Sequence, residues 1–340
     1  MRSLIAGPHR IAVSFVGVKL LLHLLSQVIT SYEFHRDELL YLAMGDHLRL
    51  YGMDFPPFIA LAANLQRALL GDHVWAIRVL PAIAGAAVLW LAIDATRRLG
   101  GRALAQIAVG MAVLLSPLYL RVSVLFQPVV FDQLWWTLAL WALLRRGLDD
   151  DPRWWLGVGG ALGMGLLTKF SVGFIAIPLV AATVLTGLRR DLRTPWPWVA
   201  AGISLLIGHP SLLGQVALGW PFFGQMADLR SSQLSQVTYG SFFSEQLLMV
   251  GPTVLLGLVG VAGLLRAGVR LEPGATGGEK AEPGAGNGAD PYRASALRAV
   301  ALAGAGALIV LMVMRGKPYY AGPIHPVLMA AGAATLASLG

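Results

Sequence analysis

The sequence contains no cysteine, and charged residues make up only 13% of its 340 positions. The absence of cysteine excludes disulfide bonds and thiolate metal sites. Soluble proteins carry about a quarter charged residues, whereas this chain is 56% hydrophobic and has a mean hydropathy of +0.66. This composition excludes an ordinary soluble domain and predicts an integral membrane protein.

Apolar runs of the length that crosses a bilayer core as a helix, about 20 residues, recur along the chain. They contain glycine and proline and lack the strict alternation of outer-membrane barrel strands. We therefore predict an all-α, polytopic transmembrane helical bundle of about ten spans. The predicted spans are 11–31, 74–96, 103–120, 129–144, 154–168, 171–188, 196–216, 247–265, 296–314 and 320–339.

The basic residues indicate the topology of these spans. A net charge of +8 is compatible with a nucleic-acid partner, but sixteen of the 26 lysines and arginines fall in alternate loops once the N-terminus is placed in the cytoplasm. This distribution follows the positive-inside rule and argues against nucleic acid. The first apolar segment lacks a cleavage site and is interpreted as an anchor. The loops predicted on the non-cytoplasmic side are 32–73, 121–128, 217–246 and 315–319.

Residues 271–293 interrupt the apolar pattern with glycine, proline and few large apolar side chains. Such a composition cannot bury enough surface to offset chain entropy and predicts a flexible cytoplasmic linker. It separates a membrane body, 1–270, from a C-terminal transmembrane hairpin, 294–340. No internal repeat is evident, which disfavours transporter folds built from inverted repeats.

Acidic residues are concentrated in the first outer loop, 32–73. Apolar positions recur there at helical spacing from Arg36 to Tyr51, which predicts a helix lying in the membrane interface. Asp37, near its start, either complements the helix dipole or belongs to a crowded carboxylate site suited to general-base chemistry. The six acids of the loop, out of 18 in the chain, are Glu33, Asp37, Glu38, Asp46, Asp54 and Asp72.

The pattern Arg36-Asp37-Glu38-Leu39-x-Tyr41, followed by Gly52-x-Asp54-x-Pro56-Pro57, resembles the first outer loop of polytopic glycosyltransferases of the GT-C type. The branch it resembles is bacterial and related to dolichyl-phosphate-mannose protein mannosyltransferases and lipid A aminoarabinose transferases. Three further motifs follow in the family's order: Gly165-Leu166-Leu167-Thr168-Lys169-Phe170, Gly219-Trp220-Pro221 and Gly316-Lys317-Pro318-Tyr319-Tyr320.

The resemblance implies a GT-C-like enzyme of the bacterial inner membrane that moves a sugar from a polyprenyl-phosphate-linked donor to a lipid, glycan or protein acceptor. Transfer would occur at the non-cytoplasmic face with inversion at the anomeric carbon. A base must take the acceptor proton, and cations must hold the phosphate. Asp37 is the expected base, and Glu38 and Asp132 are further catalytic candidates. The candidates for binding the donor or substrate are Arg36, Tyr41, Asp54, Lys169, His209, Lys317, Tyr319 and Tyr320.

The chain departs from the aminoarabinose transferases at two cationic positions, which hold Leu40 and Phe55 here. The candidates to take their place as phosphate ligands are Lys169, Lys317, Arg36 and Arg315. The structural alternative for Lys169 is that its side chain snorkels to the interface at a span end. For Lys317 the alternative is membership of an aromatic belt. For Asp132 the alternative is a salt bridge, for example to Arg121.

No metal-binding spacing such as His-Glu-x-x-His occurs, so no metal site is predicted. A divalent cation is the one cofactor considered for this chain. The alternative function is a transporter or lipid flippase, which would place ionisable residues near mid-span. This chain instead concentrates six of its 18 acids in the first outer loop. A non-catalytic scaffold explains the Asp-Glu and Pro-Pro loop least well.

Overall fold

The computed structural model describes residues 9–266 and 291–339, so most of the predicted linker 271–293 lies outside the described residues. Within them the protein is all-helical, as predicted, with sixteen α-helices and no strand. The helices are α1 Arg10–Ile29, α2 Arg36–Asp46, α3 Phe58–Leu70, α4 Val74–Ile77, α5 Val79–Arg98, α6 Ala103–Leu114, α7 Pro117–Val122, α8 Pro128–Asp149, α9 Trp154–Thr168, α10 Gly173–Leu185, α11 Trp196–Ala217, α12 Pro221–Ser232, α13 Tyr239–Val250, α14 Val254–Arg266, α15 Pro291–Val313 and α16 His325–Ala337. Three of the 3-10 helices matter below: Phe170–Val172, Gly187–Arg193 and Pro318–Ile324.

Several helical segments are long and apolar enough to cross a membrane. Judged by length and composition among the described residues there are five, or six if the bent pair Phe170–Leu185 and Gly187–Arg193 is one span. The integral membrane character is thus supported, and the count of ten spans stays a prediction. The five are Arg10–Ile29, Val74–Arg98, Trp196–Ala217, Tyr239–Arg266 and Tyr292–Val313.

Prolines divide two of the predicted spans. The predicted span 103–120 breaks between α6 and α7 at Pro117, and the predicted span 320–339 begins as the 3-10 helix Pro318–Ile324 before α16. Proline has no N–H and its ring clashes with the preceding helical turn, so an uninterrupted helix through these positions is disfavoured. The short segments that result carry side chains of the candidate site.

The buried core lies where α8, α15 and α16 pack together. Trp136 and Leu140 of α8, Val300 of α15 and Leu328 of α16 are all buried. The C-terminal hairpin therefore packs into the same membrane body as the rest of the chain. With 22 residues, α8 is about 33 Å long, so its first and last turns lie at opposite ends of the bundle.

Helix α2, which we predict to lie in the membrane interface, is shorter than the apolar spacing predicts, because it ends at Asp46 and not at Tyr51. Asn64 of α3 donates a hydrogen bond to the carbonyl of Gly45 at 3.0 Å. Arg67 of α3 binds the carboxylate of Asp46. The end of α2 is therefore set by α3, a helix of the same loop that the spacing did not predict.

Candidate active site

Glu38 is fully buried, and both of its carboxylate oxygens are occupied. Arg78 donates from Nε to Oε1 at 3.0 Å and from Nη2 to Oε2 at 2.8 Å. The backbone N–H groups of Phe126 and His35 each add a bond at 2.8 Å. The bidentate ion pair between Arg78 and Glu38 belongs to the strong, charge-assisted class of hydrogen bonds. The bonds from Arg78 and Phe126 tie the loop 32–73 to the start of α5 and to the segment before α8.

Asp37 lies beside this anchor, but its side chain is 34% exposed. Its Oδ2 accepts from Gln127 Nε2 at 3.1 Å, and its Oδ1 accepts from Arg36 Nε at 3.3 Å. His35 caps α2 and accepts a bond from the Asp37 N–H at 3.1 Å, while Glu38 bonds back to the His35 N–H. This capping box fixes the backbone of Asp37 while its carboxylate stays accessible.

Asp132, in the first turns of α8, is only 4% exposed. Its Oδ2 accepts from Ser171 Oγ at 2.7 Å. Its Oδ1 is buried, and among the described residues the Trp136 indole N–H lies near the carboxylate without forming a hydrogen bond of ordinary geometry. The salt bridge to Arg121 is not formed. A buried carboxylate oxygen without a donor is costly, so this atom marks a place where a ligand could bind.

Two lysines face two tyrosines at the same end of the bundle. Lys169, which caps the C-terminus of α9, places Nζ 3.8 Å from the ring centroid of Tyr320, in cation–π geometry. Lys317 is half-buried, with Nζ 6.0 Å from the ring centroid of Tyr319. In the part of the chain that the structure describes, neither lysine forms an ion pair with a carboxylate. Both ammonium groups are therefore free to bind an anion.

Electrostatic interactions link the acids and the lysines. Partial burial, and then the positive charge of Lys169, lower the pKa of Lys317, while Asp37 acts in the opposite direction. Asp132 lies within electrostatic range of Lys169. Lys169 and Asp37 are therefore both close enough to Lys317 to change its pKa, although these residues come from distant parts of the sequence.

Tyr41 and Tyr319 complete this arrangement. Burial, and then the negative charge of Asp37, raise the pKa of Tyr41, with further contributions from Tyr319 and Tyr320. Burial likewise raises the pKa of Tyr319. Both phenols therefore stay neutral at physiological pH and can donate hydrogen bonds. We call the whole set the acid–lysine cluster: Asp37, Tyr41, Asp132, Lys169, Lys317, Tyr319 and Tyr320.

The two tyrosines are held by a tethered 3-10 helix, Pro318–Ile324. Gln246 of α13 donates from Nε2 to the carbonyl of Pro318 at 2.8 Å. Tyr119 of α7 donates its hydroxyl proton to the carbonyl of Gly322 at 2.7 Å. Because both ends of the short helix are bonded to neighbouring helices, the aromatic rings occupy defined positions.

A cavity of about 400 Å³ opens beside Asp37, a size typical of small-molecule sites. Its polar wall includes Gln127, Arg121 and Tyr319, and its apolar wall comes mainly from α7 and α13. Such a cavity suits an amphiphilic ligand whose polar end meets the carboxylate. The apolar wall contains Leu118, Val122, Leu125, Leu248 and Met249.

Asp54 and His209 are not brought into this cluster. Asp54 accepts from Gln225 Nε2 at 3.2 Å, and His209 shares a hydrogen bond of 3.2 Å with the hydroxyl of Tyr51. Within residues 9–266 and 291–339, neither of the two predicted binding residues contacts a cluster member. Arg36 touches Asp37, but its side chain is 91% exposed.

Histidines serve as hydrogen-bonding partners in the described structure. His35 caps α2, His209 contacts Tyr51, and His325 bonds to Gln246 at 2.9 Å. Among the described residues, no group of three or more His, Asp or Glu side chains is arranged to hold a metal ion.

Three partners of the site were not predicted from the sequence: Arg78, Gln127 and Ser171. Arg78 carried a usable signal, because a charged residue inside the predicted span 74–96 requires a partner. Gln127 and Ser171 are ordinary polar residues near helix ends, and nothing in their local sequence distinguishes them.

Residues 54–213 match the sequence model of the dolichyl-phosphate-mannose-protein mannosyltransferase family. No curated protein matches the chain significantly. The matched region includes Asp132 and Lys169 but begins after Asp37. The resemblance to GT-C glycosyltransferases predicted from the sequence motifs is confirmed by this match and by the structural neighbours.

Solved membrane enzymes share the fold. ArnT from Cupriavidus metallidurans bound to undecaprenyl phosphate aligns with a TM-score of 0.69 at 19% identity, covering 97% of this chain and 60% of that one. The Archaeoglobus fulgidus oligosaccharyltransferase tethered with an acceptor peptide aligns with a TM-score of 0.57 at 13% identity, covering 99% and 50%. The chain thus spans 60% or less of the length of these neighbours. The predicted GT-C-like fold is confirmed.

Proposed function

We propose that this protein is a membrane glycosyltransferase that moves a sugar from a polyprenyl-phosphate-linked donor to a lipid, glycan or protein acceptor on the non-cytoplasmic side. The acid–lysine cluster is the observation that carries the proposal, because it combines an accessible carboxylate with two unpaired ammonium groups. The mannosyltransferase family match and the undecaprenyl phosphate bound to ArnT support the donor class.

Asp37 is the general base of the proposed reaction. The acceptor hydroxyl oxygen attacks the anomeric carbon while Asp37 takes the hydroxyl proton. The bond between the anomeric carbon and the phosphate oxygen breaks on the opposite side, and the phosphate leaves with the electron pair. This displacement inverts the anomeric configuration. Asp37 suits the role because Gln127 orients one of its oxygens and part of the carboxylate is exposed.

Lys169 and Lys317 hold the phosphate in this mechanism. Charge-assisted hydrogen bonds from ammonium groups stabilise the negative charge that the leaving phosphate gains. Asp132 lies within electrostatic range of Lys169, and its Oδ1, which forms no hydrogen bond of ordinary geometry with the described residues, accepts one from a sugar hydroxyl in this proposal. Glu38 acts differently from its neighbour: its ion pair with Arg78 positions the loop that carries Asp37.

A transporter or flippase is less well supported, because the cluster gathers at one end of the bundle. Asp132 lies in the first turns of α8, and Lys169 follows the end of α9. A translocation path would place such groups near mid-span.

The function can be tested with the purified protein in liposomes supplied with undecaprenyl-phosphate-linked sugars and a membrane lipid extract. We expect release of free undecaprenyl phosphate together with a glycosylated acceptor, and strong loss of both in the double variant Lys169→Met/Lys317→Met. Absence of release from every donor of a broad sugar panel by folded wild-type protein would refute the proposal.

Donor binding should depend on pH through Lys317. Its pKa lies below the usual lysine value, so the ammonium group loses its proton, and the phosphate loses a partner, at a lower pH than for an ordinary lysine. We expect the Kd for undecaprenyl phosphate to rise on going from neutral to alkaline pH.

Lys317→Arg is the matched control, because arginine stays charged throughout this range. Its donor binding should persist to higher pH, while Lys317→Met should bind weakly at every pH. Identical pH dependence of the Kd in wild type and Lys317→Arg would show that Lys317 does not bind the phosphate.

The outward orientation of the site can be tested by single cysteines, since the chain has none. Arg49 and Arg190 are both exposed and lie on opposite sides of the predicted topology. In intact cells, an impermeant thiol reagent should label Arg49→Cys and leave Arg190→Cys unlabelled until the membrane is permeabilised. The reverse pattern would place the acid–lysine cluster in the cytoplasm.

A further inference from the structure

A second cavity of about 400 Å³ lies between α9, α10 and α11. Its lining is almost entirely apolar, and much of it faces outward from the bundle: Trp198 is 64% exposed, and Val180, Val184 and Leu205 are exposed as well. The hydroxyl of Thr183, one of its few polar groups, already donates to the carbonyl of Leu179 at 2.8 Å. A hydrocarbon chain is the chemically matched occupant of such a groove.

Close packing of two helices makes the floor of this groove. A Cβ atom on Gly159 of α9 would collide with the backbone of Ala200 of α11. The two backbones therefore touch, and the larger side chains of α9, α10 and α11 form walls on either side. A floor built from backbone contact does not need a ligand to take shape.

One end of the groove meets the 3-10 helix Gly187–Arg193. Leu192 lines the groove, and its carbonyl accepts a bond from the Trp198 indole Nε1 at 2.9 Å. Side chains three residues apart eclipse each other in a 3-10 helix. Arg189 therefore lies on the same side of this helix as Leu192. Arg190 and Arg193 lie together on the neighbouring side of the same helix. All three arginines are exposed.

Asp191, the acidic residue of this 3-10 helix, does not neutralise the positive charge of its exposed arginines. Asp191 is buried and is bound by Arg146 at 2.8 and 3.1 Å, by the Trp155 indole at 2.7 Å and by the Tyr292 hydroxyl at 2.6 Å. These four hydrogen bonds fill the acceptor sites of the Asp191 carboxylate and leave none for the exposed arginines. Among the residues that the structure describes, Arg189, Arg190 and Arg193 form no ion pair.

We propose that this groove binds one acyl chain of an anionic phospholipid, with the lipid phosphate on Arg189, Arg190 and Arg193. Charge complementarity and the apolar groove together select this occupant, because basic residues beside membrane helices attract anionic head groups. Asp191 is bound to Arg146 in the last turn of α8, which places this site at the opposite end of α8 from Asp132. The proposal does not depend on the sugar-transfer reaction.

The test uses the full-length protein in nanodiscs that contain phospholipids with brominated acyl chains, which quench nearby tryptophans. The Trp198 signal is obtained as the difference between wild type and Trp198→Phe. Brominated phosphatidylglycerol should quench it more strongly than brominated phosphatidylcholine, with a preference of about fivefold per contributing arginine. Equal quenching by the two lipids would overturn the proposal.

Variants separate the head-group contact from the groove. The triple variant Arg189→Gln/Arg190→Gln/Arg193→Gln should lose the preference for phosphatidylglycerol, whereas Arg266→Gln, an exposed arginine on α14, should retain it. Ala201→Phe, which fills the groove wall, should reduce quenching by both lipids. Retention of the full preference by the triple variant would show that these arginines do not select the lipid. The single variants give the same readout if the triple variant does not fold.

Discussion

Replacing Asp37 with asparagine is expected to reduce sugar-transfer turnover by about 10²–10⁴ with little change in donor affinity. The amide keeps the shape of the carboxylate and can still contact Gln127, but it cannot accept the proton of the acceptor hydroxyl. The measurement is turnover of an undecaprenyl-phosphate-linked sugar by purified variants in liposomes, with donor affinity and melting temperature determined in parallel.

Asp46→Asn is the matched control for this variant. Asp46 ends the same helix, is exposed, and pairs with Arg67 instead of a cluster residue. Its replacement should leave turnover near the wild-type value. If a folded Asp37→Asn protein turns over like the wild type, Asp37 is not the base, and Asp132→Asn becomes the next variant to measure.

Replacing Arg78 with methionine is expected to destabilise the protein by about 3–5 kcal/mol, because it leaves the carboxylate of Glu38 buried without its charged partner. Glu38 is fully buried, and Arg78 supplies two of its four hydrogen bonds. The measurement is the thermal unfolding of the purified protein in lipid. Turnover should fall as well, because the loop that carries Asp37 loses its anchor.

Two comparisons isolate the buried pair. Arg67→Met removes the exposed pairs with Asp46 and Asp72, which should cost only about 0–1 kcal/mol each. The double variant Arg78→Met/Glu38→Gln removes both charges and should recover part of the stability lost in Arg78→Met. A melting temperature of Arg78→Met equal to that of Arg67→Met would contradict the assigned role of Glu38.

Much of the fold could be predicted from the sequence, because helical membrane spans have a strong local signal. The long apolar runs indicated an all-helical membrane body, and the motif around Asp37 indicated the GT-C relationship. The helix α3, and the end of α2 at Asp46, were not predicted. Both depend on contacts between the two helices, such as Asn64 with Gly45, which apolar spacing does not encode.

The candidate site was predicted in part, because some contacts join segments that are far apart in the chain. The adjacent acids Asp37 and Glu38 were both predicted as catalytic candidates, whereas bonds from Arg78 and Phe126 bury Glu38 and leave Asp37 partly exposed. Asp54 lies within the same motif but contacts Gln225 of α12 instead. Local motifs therefore identified the loop, whereas packing decides which of its residues meet.

The central proposal, phosphate held by Lys169 and Lys317 in front of Asp37, is tested most directly by a cryo-electron microscopy structure of the protein with undecaprenyl phosphate in nanodiscs. We expect density for the phosphate at hydrogen-bonding distance from both lysine Nζ atoms, with the lipid chain continuing between the helices. A phosphate bound elsewhere, with both lysines unoccupied, would contradict the proposed active site.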